Sequence, residues 1–92
     1  MKATIDGIRY STDRCEELAE RTLYNNGNVS GYKTLWLADD GTYLLETLSN
    51  RQDLFGDNSL TDEFDINDFL EDTYITEAQE ARLAGLGVFE II

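Results

Sequence analysis

Apolar and polar residues along the chain fall into short alternating or periodic runs separated by turn residues. Ala3-Thr4-Ile5 and Ile8-Arg9-Tyr10 flank Asp6-Gly7, a favoured pair for a two-residue type I′ turn, so the chain is predicted to open on a β-hairpin. Ser11-Thr12-Asp13 follows, and Asp13 with Glu16 three residues on resembles a capping box. Cys15, Leu18, Ala19, Thr22 and Leu23 recur at helical spacing, with Glu16, Glu17, Glu20 and Arg21 on the opposite side. This pattern predicts a helix of about three turns, ended by Asn25-Asn26-Gly27. Tyr32 to Ala38 and Thr42 to Leu48 read as a second hairpin around Asp39-Asp40-Gly41. A three-residue turn with Gly41 left-handed places Leu35, Leu37, Tyr43 and Leu45 on one face and Trp36, Leu44 and Glu46 on the other. A two-residue Asp40-Gly41 turn would re-pair the faces, and the sequence leaves both registers open.

The remainder is less regular. Residues 49–60 carry the polar signature of a loop. Leu60-Phe64 and Ile66-Phe69-Leu70 allow a short helix between residues 60 and 74. Thr76 with Gln79 forms a capping box for a second short helix containing Ala78, Ala81 and Leu83 and ending at Gly85 or Gly87. Val88 to Ile92 is expected to be a C-terminal strand. Together these elements predict a single α+β domain over residues 1–92: an antiparallel sheet of four or five strands with two or three helices packed on one face.

Charge changes this picture more than any motif. The chain has 92 residues, 19 acids and 7 bases, for a net charge of −12. Residues 1–52 hold 8 acids and 6 bases, whereas residues 53–92 hold 11 acids and only Arg82. Such a surface repels nucleic acid and anionic membrane and attracts basic partners. Free DNA and membrane are therefore not expected ligands. Histidine is absent and cysteine occurs once, which excludes Ser-His-Asp and Cys-His pairs, a Cys/His zinc site and an intrachain disulfide framework. Met1 to Gly7 is not an apolar signal run, and no stretch approaches the ~20 apolar residues of a membrane span. A lone thiol fits a reducing cytoplasm.

The acids concentrate at Asp53, Asp57, Asp62, Glu63, Asp65, Asp68, Glu71 and Asp72, with no base among them. Duplex DNA carries a charge every ~1.7 Å, so these eight carboxylates match the phosphates of roughly four base pairs. They could fill a positively charged groove built for nucleic acid, against the plainer reading of a solvated face. The same stretch also has the spacing of a calcium loop: Asp57, Ser59, Thr61, Glu63, Asp65 and Asp68 stand where its oxygen ligands would. Asp62 occupies the position that needs glycine, and Asp68 is shorter than the bidentate Glu that closes such loops, so no metal or other cofactor is expected. Carboxylate pairs for glycoside chemistry are unspecific in so acidic a chain, and no catalytic residues are assigned. Cys15 reads as a small hydrophobe on the first helix, Trp36, Tyr32 and Tyr43 as core, and Asn25, Asn26 and Asn28 as helix-stop residues.

The opening hairpin Met1 to Tyr10, the central hairpin Lys33 to Leu45 and the acidic second half together resemble small phage-encoded anti-CRISPR proteins of the type I-F series. The resemblance implies a non-enzymatic inhibitor that binds Cas subunits of the type I-F crRNA-guided surveillance complex in the cytoplasm of an infected bacterium. Target DNA would then fail to bind or to pair with the guide. The residues expected to meet the partner are Asp57, Asp62, Glu63, Asp65, Asp68, Glu71 and Asp72, with Asn28 and Arg51 as conjectured contacts to guide RNA. Two other readings stay open. One is an acidic DNA mimic directed at another defence protein, such as a restriction enzyme. The other is a calcium-responsive or structural phage protein.

Overall fold

A computed structural model describes residues 1–49 and 58–92. The chain is α+β, with three layers. Strands β1 (Lys2–Ile5) and β2 (Ile8–Ser11) form a two-stranded antiparallel sheet. A four-stranded antiparallel meander follows, in the order β3 (Glu16–Asn25), β4 (Asn28–Leu37), β5 (Tyr43–Ser49) and β6 (Ser59–Thr61). Helices α1 (Ile66–Glu71) and α2 (Glu77–Gly85) complete the fold. The opening hairpin is as expected, with Asp6 at φ 51° and Gly7 at φ 80°, the left-handed pair of a type I′ turn. It stands apart from the larger sheet instead of extending it.

The predicted first helix is a strand. Asn26 (φ 53°) and Gly27 (φ 81°) do not stop a helix but turn β3 into β4, with Asn25 paired to Asn28. Two left-handed residues in sequence are the requirement of a tight hairpin. The helical spacing was produced by a bulge. Glu17 pairs with Trp36 and Ala19 with Leu35, leaving Leu18 as an extra residue. Neighbouring Leu18 and Ala19 therefore both join one core cluster, at 1% and 0% exposure. Cys15 lies before this strand, after a 3-10 turn at Thr12–Arg14.

The central hairpin takes the three-residue register. Gly41 is left-handed at φ 88°, its N–H donates to the Ala38 carbonyl at 2.9 Å, and the Ala38 N–H donates to the Thr42 carbonyl at 2.9 Å. Leu35 pairs with Leu45, Leu37 with Tyr43 and Trp36 with Leu44. The first two pairs face α1 and α2 in a core of Leu18, Ala19, Leu35, Leu45, Phe69 and Leu83. Leu44 and Trp36 face the other way, where Leu60, Ala38 and Tyr10 form a second cluster with Ala3, Ile5 and Cys15. Helices thus cover one sheet face and the small hairpin the other. Tyr10 fastens that hairpin: its hydroxyl donates to Asp40 Oδ2 at 2.8 Å, while Asp40 Oδ1 accepts from the Thr42 N–H at 3.0 Å. These bonds hold the Asp40 carboxyl below its ordinary range.

Two C-terminal expectations change. The helix expected within residues 60–74 is confined to α1, because Leu60 belongs to β6, opposite Glu46. Val88 to Ile92 is not a strand. After α2, the Val88 N–H donates to the Leu83 carbonyl and the Gly87 N–H to that of Ala84, with Gly87 at φ 82°. This is a Schellman closure, and it folds Val88 and Phe89 back onto the first core cluster, away from any sheet edge. The Thr76–Gln79 capping box forms in both directions, at 2.9 and 3.2 Å.

Candidate functional site

The acidic segment divides into parts with different duties. Asp62 and Glu63 lie exposed between β6 and α1. Asp65 is the N-cap of α1: its Oδ1 accepts from the N–H groups of Asn67 at 2.9 Å and Asp68 at 3.2 Å. Asp68 sits in the first turn, where a negative charge favours the helix. Glu71 and Asp72 are at the opposite end, where the helix dipole opposes them and the last turn carries no base. All six are exposed. Asp57 and Arg51 lie outside the described residues.

Asp65 caps with a side-chain oxygen that asparagine also supplies. Asp65→Ala should therefore cost about 0.5–2 kcal/mol and Asp65→Asn very little. Thermal melts of the two variants check this, and equal losses would show that the cap is idle.

Not all of these acids face only solvent. Asp65, Asp68 and Asp72 line a crevice of about 270 Å³ together with Arg21, Lys33 and the Phe69 ring. The Arg21 guanidinium lies 5.5 Å from the Phe69 centroid, and its Nε is buried without a hydrogen-bond partner. Two sheet cations thus temper the inner side of α1, while Asp62, Glu63 and Glu71 are not among the lining residues. This division escaped sequence reasoning because it depends on which side of α1 meets β3 and β4.

Arg82 is the only base among residues 58–92, and it is already engaged. Its Nε and Nη2 both donate to the Glu16 carboxylate at 2.8 Å, tying α2 to β3. The pairing holds Glu16 below the usual carboxylate range. Glu77 and Glu80 in the first turn of α2 are exposed as well. The helical side of the molecule thus presents carboxylates that its own bases do not neutralise.

The described residues at calcium-loop spacing fall in different elements. Ser59 and Thr61 are strand residues paired to β5, and Asp65 and Asp68 belong to the start of a helix. Among the described residues no group of three or more Cys, Asp or Glu side chains could hold a metal ion. Cys15 is half-buried in the second cluster. Its Sγ donates to the Ser11 carbonyl at 3.2 Å, and burial pushes its pKa up, away from the reactive thiolate. Trp36 is half-buried and donates from Nε1 to Glu46 Oε1 at 3.1 Å. This bond satisfies a carboxylate that is only 6% exposed. Asn28 is exposed at the β3–β4 turn, remote in sequence from the acidic segment. Among the described residues no helix is long and apolar enough to cross a membrane. Compared with protein families, curated proteins and solved structures, the chain matches none.

Proposed function

We propose that this protein is a non-enzymatic anti-CRISPR inhibitor acting in the cytoplasm of an infected bacterium. It occupies a basic surface on Cas subunits of the type I-F crRNA-guided surveillance complex, so that target DNA cannot bind or pair with the guide. The observation that carries the reading is the exposed run of carboxylates from Asp62 to Asp72. Glu71 in particular works against its own helix and is not in the crevice with Arg21 and Lys33, and the nearest base in sequence, Arg82, is spent on Glu16. Charge retained at a cost to local structure suits a partner that supplies the missing cations. The resemblance of both hairpins and the acidic half to type I-F inhibitors names that partner.

The test is to neutralise Asp62, Glu63, Asp65 and Asp68 together, as Asn and Gln, and to measure affinity for the purified surveillance complex beside a thermal melt. Asparagine at position 65 keeps the cap of α1, so the variant should fold. Binding should weaken about tenfold or more, with a shallower salt dependence, because desolvated pairs act on the off-rate and rim pairs on the on-rate. Parental affinity and salt dependence in a folded variant would reduce the segment to a solvated face. Absence of binding by the parent itself would favour the DNA mimic aimed at a different defence protein.

A further inference from the structure

The side of the molecule away from the helices has the opposite chemistry. In the β1–β2 register Ala3 lies opposite Tyr10, and both turn inward to the second core cluster together with Ile5. Side chains alternate along a strand, so Lys2 with its partner Ser11, and Thr4 with its partner Arg9, share the outward face. That face holds only cations and hydroxyls. Arg14, from the 3-10 turn that follows, extends it. Lys2, Arg9, Ser11, Asp13 and Arg14 line a cleft of about 490 Å³. Arg9, Ser11 and Arg14 continue into a neighbouring hollow of about 180 Å³ that reaches Asp39 and Asp40.

These cations are available. Arg9 Nη1 donates to Thr4 Oγ1 at 3.0 Å, a contact with a neutral oxygen, and Lys2 and Arg14 form no ion pair among the described residues. Asp13 opposes them, leaving the larger cleft with two net positive charges. Asp39 and Asp40 line only the smaller hollow, Asp40 being bonded to Tyr10 and the Thr42 N–H, and the α1 carboxylates hardly reach the larger cleft. The sheet stands between hairpin and helices, and packed layers are ~10 Å apart, so the α1 carboxylates lie about two layers away. That distance exceeds the ~8 Å screening length at physiological salt.

We propose that this outward face binds phosphate oxyanions, and that its natural ligand presents at least two linked phosphates. Arginine forks and a lysine alternating with hydroxyls supply more donors than the two oxygens of one carboxylate can accept, whereas two linked phosphates offer at least four non-bridging oxygens. The cleft has room for a short phosphate chain, and its two net positive charges suit more than one phosphate group. The site is independent of the inhibitory surface proposed above, and its test uses the protein alone, so each proposal can fail without the other.

The experiment is an amide chemical-shift titration of the isotope-labelled chain with pyrophosphate, with sodium sulfate at matched ionic strength as control, and separately with a short single-stranded oligonucleotide. Shifts should concentrate at Lys2, Thr4, Arg9, Ser11 and Arg14 and saturate in the millimolar range or below. The Arg9→Gln/Arg14→Gln variant should bind about tenfold more weakly or not at all with an unchanged melt, a tenfold loss being ~1.4 kcal/mol. If that variant loses its fold, Lys2→Gln and Arg14→Gln singly serve the same purpose. Saturation by pyrophosphate alone assigns the site to free polyphosphates or nucleotides, and tighter binding of the oligonucleotide assigns it to a phosphodiester backbone. No saturating shift with either probe, shifts equal to those with sulfate, or shifts that persist in the variants would overturn the proposal.

Discussion

Leu35→Ala should lower the unfolding free energy by about 2–5 kcal/mol, since it removes a fully buried side chain from the centre of the sheet–helix core. Leu35 is 0% exposed and stands between Ala19 of β3 and Leu45 of β5. Neither backbone can move inward without breaking its ladder to β4, so the cavity should relax poorly and the cost lie in the upper part of that range. For a chain of this length, each kcal/mol corresponds to roughly 4–8 °C, so the melting temperature should fall by about 10 °C or more. Urea unfolding should show a lower midpoint at an unchanged slope. A fall of only a degree or two would mean that the helical layer is not close-packed on the sheet.

Gly31→Ala should be the second severe lesion, for a backbone reason. Gly31 is buried in β4, opposite Leu23 on one side and Ser49 on the other. A Cβ there would press directly on the Leu48 carbonyl oxygen and stand 3.2 Å from the Leu48 carbonyl carbon and from Ser49 Cα. All three atoms are main chain, and no rotamer change makes room. The strands must part at that end, with a cost of about 3 kcal/mol, the upper end of ordinary overpacking. Thermal unfolding reads the loss, and amide exchange should show it localised to Tyr32, Leu48 and their neighbours. Parental stability would show that β4 and β5 can separate there without penalty. By contrast Gly7, at φ 80°, has open space around it and is constrained by its turn alone.

What could be read from the sequence was local. Asp6-Gly7 and the Thr76–Gln79 box each settle their structure within a few residues, and both form as expected, whereas Gly41 marked a turn whose register the sequence left open. The misreading of β3 is instructive because its signal was also local but had two meanings. Asn-Gly serves a helix end and a hairpin turn alike, and a single bulged residue converts the two-residue rhythm of a strand into spacing that imitates a helix. Only the cross-strand partners of Glu17 and Ala19, which leave Leu18 as the extra residue, decide between them. Val88 to Ile92 failed differently. Its composition suits a strand, yet the Schellman closure at Gly87 aims it at the core. At the candidate site, the excess of acid was legible from composition, and its division by Arg21 and Lys33 was not.

The order of the strands bears on how fast the molecule forms. Among the described residues every sheet pairing joins strands that are consecutive in the chain, β1 to β2 and then β3 through β6 in turn. Closing such short loops costs little entropy, and an isolated hairpin forms in about 1–10 μs. Sheet proteins usually fold slowly because their pairings are remote in sequence. Here the sheet can be laid down progressively, hairpin upon hairpin, as the chain leaves the ribosome. The docking of α1 and α2 onto Leu18, Ala19 and Leu35, and of the opening hairpin onto Leu44 and Leu60, must span the chain. Carboxylate repulsion burdens the docking of the acidic layer more than the growth of the sheet.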